Sequence, residues 1–344
     1  MLSGVRFLAF FCGLVLCYSA NAIELNRSNQ SGVAEAYGFV IGQQITLDRI
    51  AERYPELARE ALLARLAFER TFGDVPDKID PMLKNTLGSD EYEKFRADLT
   101  RQLKSQLNSD PLTKPIAEGF LDEVRGRADG DIYSPTLEYL LAIRFGDWPV
   151  EEYTKGFRQK YQTDGSGKSR GIVLHMQLPR SWEGMEGNRP HIVRKWKSEA
   201  GTGMGLIMLQ VRKTQGVHIT RADVAEMMQP GEVADLVPDG GVLKDYGMVS
   251  MENLPGYFTD FSILQKRAGI AIFQKLRQYT FFYADRMLSI QCSSGGLDRQ
   301  HEAVDESFES LKPLCIQVFN SVVIPDKYLA PEVNGTEPET HTEI

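Results

Sequence analysis

The sequence predicts an α+β protein in two parts, an N-terminal all-α helical bundle followed by an antiparallel-sheet α+β domain. Three observations carry that expectation. From Gly32 to Gln162 apolar residues recur at three- and four-residue steps, the spacing that gives a helix one apolar face. At Asp164-Gly165-Ser166-Gly167-Lys168 a flexible polar stretch breaks the pattern. Beyond it the period falls to two and aromatic residues accumulate, as strands require. The chain has 344 residues, room for two domains at roughly 100–200 residues each. The expected divisions are a signal peptide at 1–22, a helical domain at 32–162, a linker at 163–170, the α+β domain at 171–324 and a disordered acidic tail at 325–344.

Met1 to Ala22 carries one charge, Arg6, then the apolar run Phe7 to Leu16, and closes with Ala20-Asn21-Ala22. This is the pattern of a secretory signal peptide with an A-x-A cleavage site. Its core is shorter than the roughly 20 apolar residues of a membrane-spanning helix. Leu14-Val15-Leu16-Cys17 resembles a lipidation signal, but that signal takes a small residue where Leu16 stands, so soluble release is expected. The address is periplasmic or secreted, and no transmembrane segment is expected after cleavage. Cys12 and Cys17 leave with the signal, and Cys292 and Cys315 remain. An even pair in an oxidising compartment is most simply one disulfide.

The first helix covers residues 33–52 and holds Gly38 and Gly42 at G-x-x-x-G spacing. Gln43 and Gln44 follow at once, so close packing in a bundle is expected, and not a membrane interface. Pro55 opens a helix through Leu62, Leu66 and Phe72, ended by Gly73. Ser89 is a good N-cap, Asp90 and Glu91 suit the first turn, and Tyr92, Phe95, Leu99, Leu103 and Leu107 form a stripe. Another helix runs from Thr113 to Ala128. A further one starts at Ser134-Pro135, continues through Leu137, Leu140, Leu141 and Phe145, and stops at Gly146 and Pro149. Helices joined this closely make a bundle.

The expected strands are Ile172–Leu178, Ile192–Lys197, Gly205–Arg212, Val242–Met251, Tyr257–Gln265, Ala271–Tyr283 and Arg286–Cys292. Tight turns at Leu254-Pro255-Gly256, Arg267-Ala268-Gly269 and Ala284-Asp285-Arg286 link the last four as an antiparallel meander. Thr220 and Asp223 have capping-box spacing for a short helix to Met228. A last helix from Val304 to Val322 places Phe308, Leu311, Cys315, Val318 and Phe319 on one face, with Pro313 inside it.

Residues 166–324 resemble the PsbP/Mog1-like superfamily of α+β domains. The likeness rests on the entry strand Gly171-Ile172-Val173-Leu174-His175-Met176-Gln177-Leu178-Pro179-Arg180-Ser181-Trp182, on the meander ending in Tyr279 to Ile290, and on the closing amphipathic helix. The resemblance implies an accessory, chaperone-like or binding role in place of catalysis. The helical half resembles no family.

Formal charge is −8, a poor match for nucleic acid or an anionic membrane surface, which take a basic face. Gly167-Lys168-Ser169 lacks the earlier glycine of a P-loop and precedes a strand. Gly201-Thr202-Gly203-Met204-Gly205 lacks the strand-turn-helix context of a dinucleotide site. The five histidines, His175, His191, His218, His301 and His341, show no zinc spacing, and no G-x-S-x-G elbow occurs. No catalytic residue, metal or cofactor is therefore assigned. The candidate binding segment is Trp182 to Trp196, with His191 and Arg194 between, because exposed Trp and Arg serve as interface anchors. The competing reading has both tryptophans filling the core. The expected function is a non-catalytic protein-binding or accessory factor of the cell envelope, including an inhibitor or immunity-type factor. The alternatives are an envelope hydrolase with carboxylates at the domain interface, and a small-ligand carrier.

Overall fold

The computed structural model describes residues 29–109, 111–131, 135–267 and 269–328. The expected signal peptide, Ser134 and the tail beyond Tyr328 lie outside the described residues. The chain starts with seven helices, α1 Gln30–Arg53, α2 Ala58–Phe72, α3 Val75–Leu87, α4 Ser89–Ser109, α5 Lys114–Asp129, α6 Pro135–Phe145 and α7 Pro149–Thr154. Strands β1 Arg158–Gln162, β2 His175–Pro179, β3 Glu183–Glu186 and β4 Ile192–Lys197 follow. A helical turn α8 Ser198–Gly201 leads to β5 Gly205–Lys213 and α9 Arg221–Met227. The meander is β6 Gly241–Met251, β7 Leu254–Arg267, β8 Ile270–Tyr283 and β9 Arg286–Leu297, and α10 His301–Asn320 closes the fold.

Helices α1 to α6 share one core, built on Val33, Ala36, Tyr37, Leu47 and Ile50 of α1 with Phe72, Leu121 and Leu140 from its neighbours. Asp80 of α3 accepts hydrogen bonds from the hydroxyls of Tyr37 at 2.9 Å and Tyr92 at 2.6 Å. The carboxylate of half-buried Asp80 is satisfied by both hydroxyls, so this trio ties α1, α3 and α4 together. The stripe expected on α4 is buried only at Tyr92. Phe95, Leu99, Leu103 and Leu107 are half-buried, because α4 lies on the outside of α1 and α3.

Seven strands form one antiparallel sheet in the order β3-β4-β5-β9-β8-β7-β6, and β1 pairs with β2 in a separate ribbon. Alternate residues face α10: Ile207, Leu209 and Val211 of β5, Leu288, Ile290 and Cys292 of β9, and Tyr279 and Phe281 of β8. Leu311, Leu314, Cys315, Val318 and Phe319 of α10 meet them. Cys292 and Cys315 are bonded, with Cα atoms 6.2 Å apart. The capping box at Thr220 and Asp223 forms as the spacing predicts.

Three boundaries differ from the sequence reading. The helical part gives way before α7, since Tyr153 belongs to the sheet core and its hydroxyl donates to the Gln317 carbonyl at 3.3 Å. The stretch 163–170 is no free linker. Thr163 is buried and pairs with Leu174, and Lys168 reaches the Gly187 carbonyl at 2.6 Å. Residues 325–328, assigned to the tail, form a 3-10 turn.

Candidate functional site

The structure does not gather the four residues proposed for binding on one exposed face. Trp182 is 2 % exposed and Trp196 1 %, so the expectation of exposed anchors is corrected: both fill the core. The strand face decides this, because Trp196 alternates with Lys195 and Lys197 and so points with Ile207 into the layer beneath the sheet. Trp196 packs edge-on to Tyr161 at 4.8 Å, and the Arg194 guanidinium sits 5.6 Å from the same ring while donating to the Gly184 carbonyl at 3.2 Å. His191 is half-buried near the other end of β4, among basic side chains.

At the junction of the two parts lies a cleft of about 380 Å³ counting its mouth, with Trp182, Glu152, Ser181, Ser198 and Glu199 in its lining. Glu152 is 1 % exposed. Its carboxylate accepts the Ser181 backbone N–H at 2.7 Å and the Ser181 hydroxyl at 2.6 Å. Burial pushes its pKa up to about 7, while the hydrogen bonds from Ser181 and the Arg180 charge pull the other way. One residue earlier, Arg180 donates to the Gly130 carbonyl at the end of α5. Both oxygens of Glu152 are thus engaged within the protein, and the group fastens the β2–β3 turn to α7. The sequence held a signal for it: Pro149, Glu152 and Tyr153 fall at i, i+3 and i+4 of one short helix.

A second concave surface is a groove of about 630 Å³, counting its open side, between α1 and α2. Val40 and Leu47 of α1 with Phe68 and Phe72 of α2 form an apolar floor, and Gln43, Gln44, Arg65 and Glu69 form the rim. Arg65 pairs with Asp48 across it, yet its Nε is shielded from solvent and lacks a hydrogen-bond partner. Beside the rim, α2 turns leucines to solvent. Ala61, Ala64, Phe68 and Phe72 face inward, while Leu62, Leu63 and Leu66 are 54 %, 49 % and 51 % exposed. Leu62 and Leu66, which mark this helix in the sequence together with the buried Phe72, both point outward. The close fit of α2 on α5 admits alanine there and turns the leucines out.

No family model matches the chain, and no curated protein does. Among solved structures, cyanobacterial PsbP from Synechocystis sp. PCC 6803 is similar at 11 % identity, with 48 % of this chain and 92 % of that chain covered and a TM-score of 0.29. LpqN of Mycobacterium tuberculosis, a protein involved in cell envelope biogenesis, is similar at 12 % identity over 52 % of this chain and 97 % of its own, with a TM-score of 0.30. PA94 of Pseudomonas aeruginosa, a protein of unknown function, is similar at 14 % identity over 49 % and 97 %, with a TM-score of 0.26. At these TM-scores each is a partial likeness in shape.

Proposed function

We propose that the protein is a non-catalytic binding factor of the cell envelope, which seats the apolar face of an amphipathic helix from a protein partner in the α1–α2 groove. The observation that carries this reading is the orientation of α2, with three leucines turned to solvent beside an apolar floor. Contiguous apolar surface of this kind marks interaction sites in soluble proteins, and a groove between two helices accepts a third by ridge-into-groove packing. The signal-peptide pattern and the bonded cysteine pair support an address outside the cytoplasm.

A second reading, carriage of a small apolar ligand, rests on the apolar lining of the groove, since small-molecule sites are concave and mostly apolar. The two part at Leu62 and Leu66, which flank the groove without forming its floor. The test is capture from envelope extract with the mature protein and with a Leu62→Asp/Leu66→Asp variant, followed by affinity measurement on the purified partner. The variant should keep the wild-type circular dichroism and bind the partner at least tenfold more weakly, a loss of about 1.4 kcal/mol. Unchanged affinity would sink the helix-in-groove reading.

A further inference from the structure

We infer that the protein carries a second, anionic-ligand site, for a phosphate group, where Arg170, Arg189, His191 and Arg212 converge at one end of the sheet. It lies on the α+β part, apart from the groove, and stands whether or not the groove binds a helix.

The chain has 47 acids against 39 Lys and Arg, so a local excess of cations runs against its average. Four segments build this one. Arg170 ends the turn after Gly167–Ser169 with φ 53° and donates through Nη2 to the Pro190 carbonyl at 3.2 Å. That bond sets Arg170 against the loop holding Arg189 and His191. The His191 carbonyl accepts the Val211 N–H at 2.9 Å, which brings the end of β5 and Arg212 alongside. From β9, Arg286 donates through Nε to the Arg170 carbonyl at 2.8 Å, and it stands opposite Lys213 in the β5–β9 register.

Like charges set directly across a sheet are unfavourable, and one acid relieves part of the repulsion: Asp285 pairs with Arg286. Among the described residues neither Arg189 nor Arg212 has an acidic partner, and Arg170 Nε is shielded from solvent without a hydrogen-bond partner. Around His191 the charged groups are Arg212 from β5, Arg189 from its own loop and Arg170 from the turn before β2. Burial, and then these three cations in that order, lower the pKa of the imidazole. Planar guanidinium forks match phosphate oxygens two at a time. A phosphate seated among them offsets the repulsion, so it must raise the His191 pKa when it binds.

The imidazole therefore reports on the site. The experiment follows His191 by NMR titration in the mature protein, with inorganic phosphate and with sodium chloride at matched ionic strength. A parallel arm measures flotation with phosphatidylglycerol and phosphatidylcholine vesicles. Expected is a saturable rise of the His191 pKa with phosphate beyond that with chloride, or flotation with phosphatidylglycerol alone, either of them weakened at least tenfold in Arg189→Ala and unchanged in Lys266→Ala. Arg189 and Lys266 are both exposed, so neither variant threatens the fold. A phosphate response without flotation assigns a free phosphoryl ligand, and flotation that phosphate competes away assigns a lipid headgroup. No response to either probe, or one that Arg189→Ala leaves intact, overturns the site.

Discussion

At the scale of single residues, two glycines of α1 show how packing sets the sign of one substitution. A Cβ at Gly42 would meet Leu103 Cδ2 at 3.8 Å, an ordinary contact, while a Cβ at Gly32 would fall within the ring of Tyr139. Glycine costs a helix about 0.5–1 kcal/mol relative to alanine. Gly42→Ala should therefore stabilise by roughly that amount. Gly32→Ala should destabilise by about 1–3 kcal/mol, because Tyr139 must leave its place. Urea unfolding midpoints of the two variants give the answer, and two shifts of the same sign would refute it. The G-x-x-x-G spacing of Gly38 and Gly42 suggested a close helix approach. Instead leucine side chains of α4 cover both glycines at ordinary distances.

At the scale of elements, the disulfide pins the closing helix to the middle of the sheet. Cys292 on β9 and Cys315 on α10 are each fully buried, 23 residues apart in sequence. In the chain-entropy model a loop of this length is worth about 3 kcal/mol. Cys292→Ala/Cys315→Ala should lose stability of that order and unfold at lower urea, with little change in far-ultraviolet circular dichroism before the transition. A double variant as stable as the wild type would show that apolar contacts alone hold α10 down. The pairing was legible because only two cysteines, Cys292 and Cys315, lie beyond the segment expected to be a signal. The long strands were legible too: burial alternates over 205–209 of β5, β8 stands out by its β-branched and aromatic residues although both its faces are buried over 279–282, and β4 falls at Ile192–Lys197 as expected. Strands β1 and β3 were not. Arg158–Gln162 has Tyr161 as its single apolar residue, and Glu183–Glu186 has Met185, so each is a strand through its partner and not through its own pattern. The orientation of α2 was hidden for a related reason. Leu62 and Leu66 fit a helical stripe as well as Ala61, Ala64 and Phe68 do, and only the neighbouring helix chooses between them.

At the scale of the whole molecule, the junction of the two parts depends on pH through Glu152. The β2–β3 turn holds the helical side through Arg180 at the Gly130 carbonyl, and holds α7, the helix that connects the two parts, through Ser181 at Glu152. Burial raises the Glu152 pKa from 4.5 to about 7, so the folded protein holds the proton more tightly than the unfolded chain. The stability this contributes is present in full below pH 4.5 and is lost as pH rises to about 7, where the folded state must carry a buried carboxylate. The shift corresponds to about 3 kcal/mol between those limits. Glu152→Gln keeps an acceptor for the Ser181 N–H and a donor for its hydroxyl but cannot ionise. Stability should therefore fall between pH 5 and 8 in the wild type by roughly 2–3 kcal/mol more than in Glu152→Gln. The variant should be the more stable of the two at the alkaline end. Urea midpoints of both proteins across that range decide the matter. Parallel pH profiles would mean that the junction holds its carboxylate ionised throughout, with Ser181 and Arg180 outweighing the cost of burial.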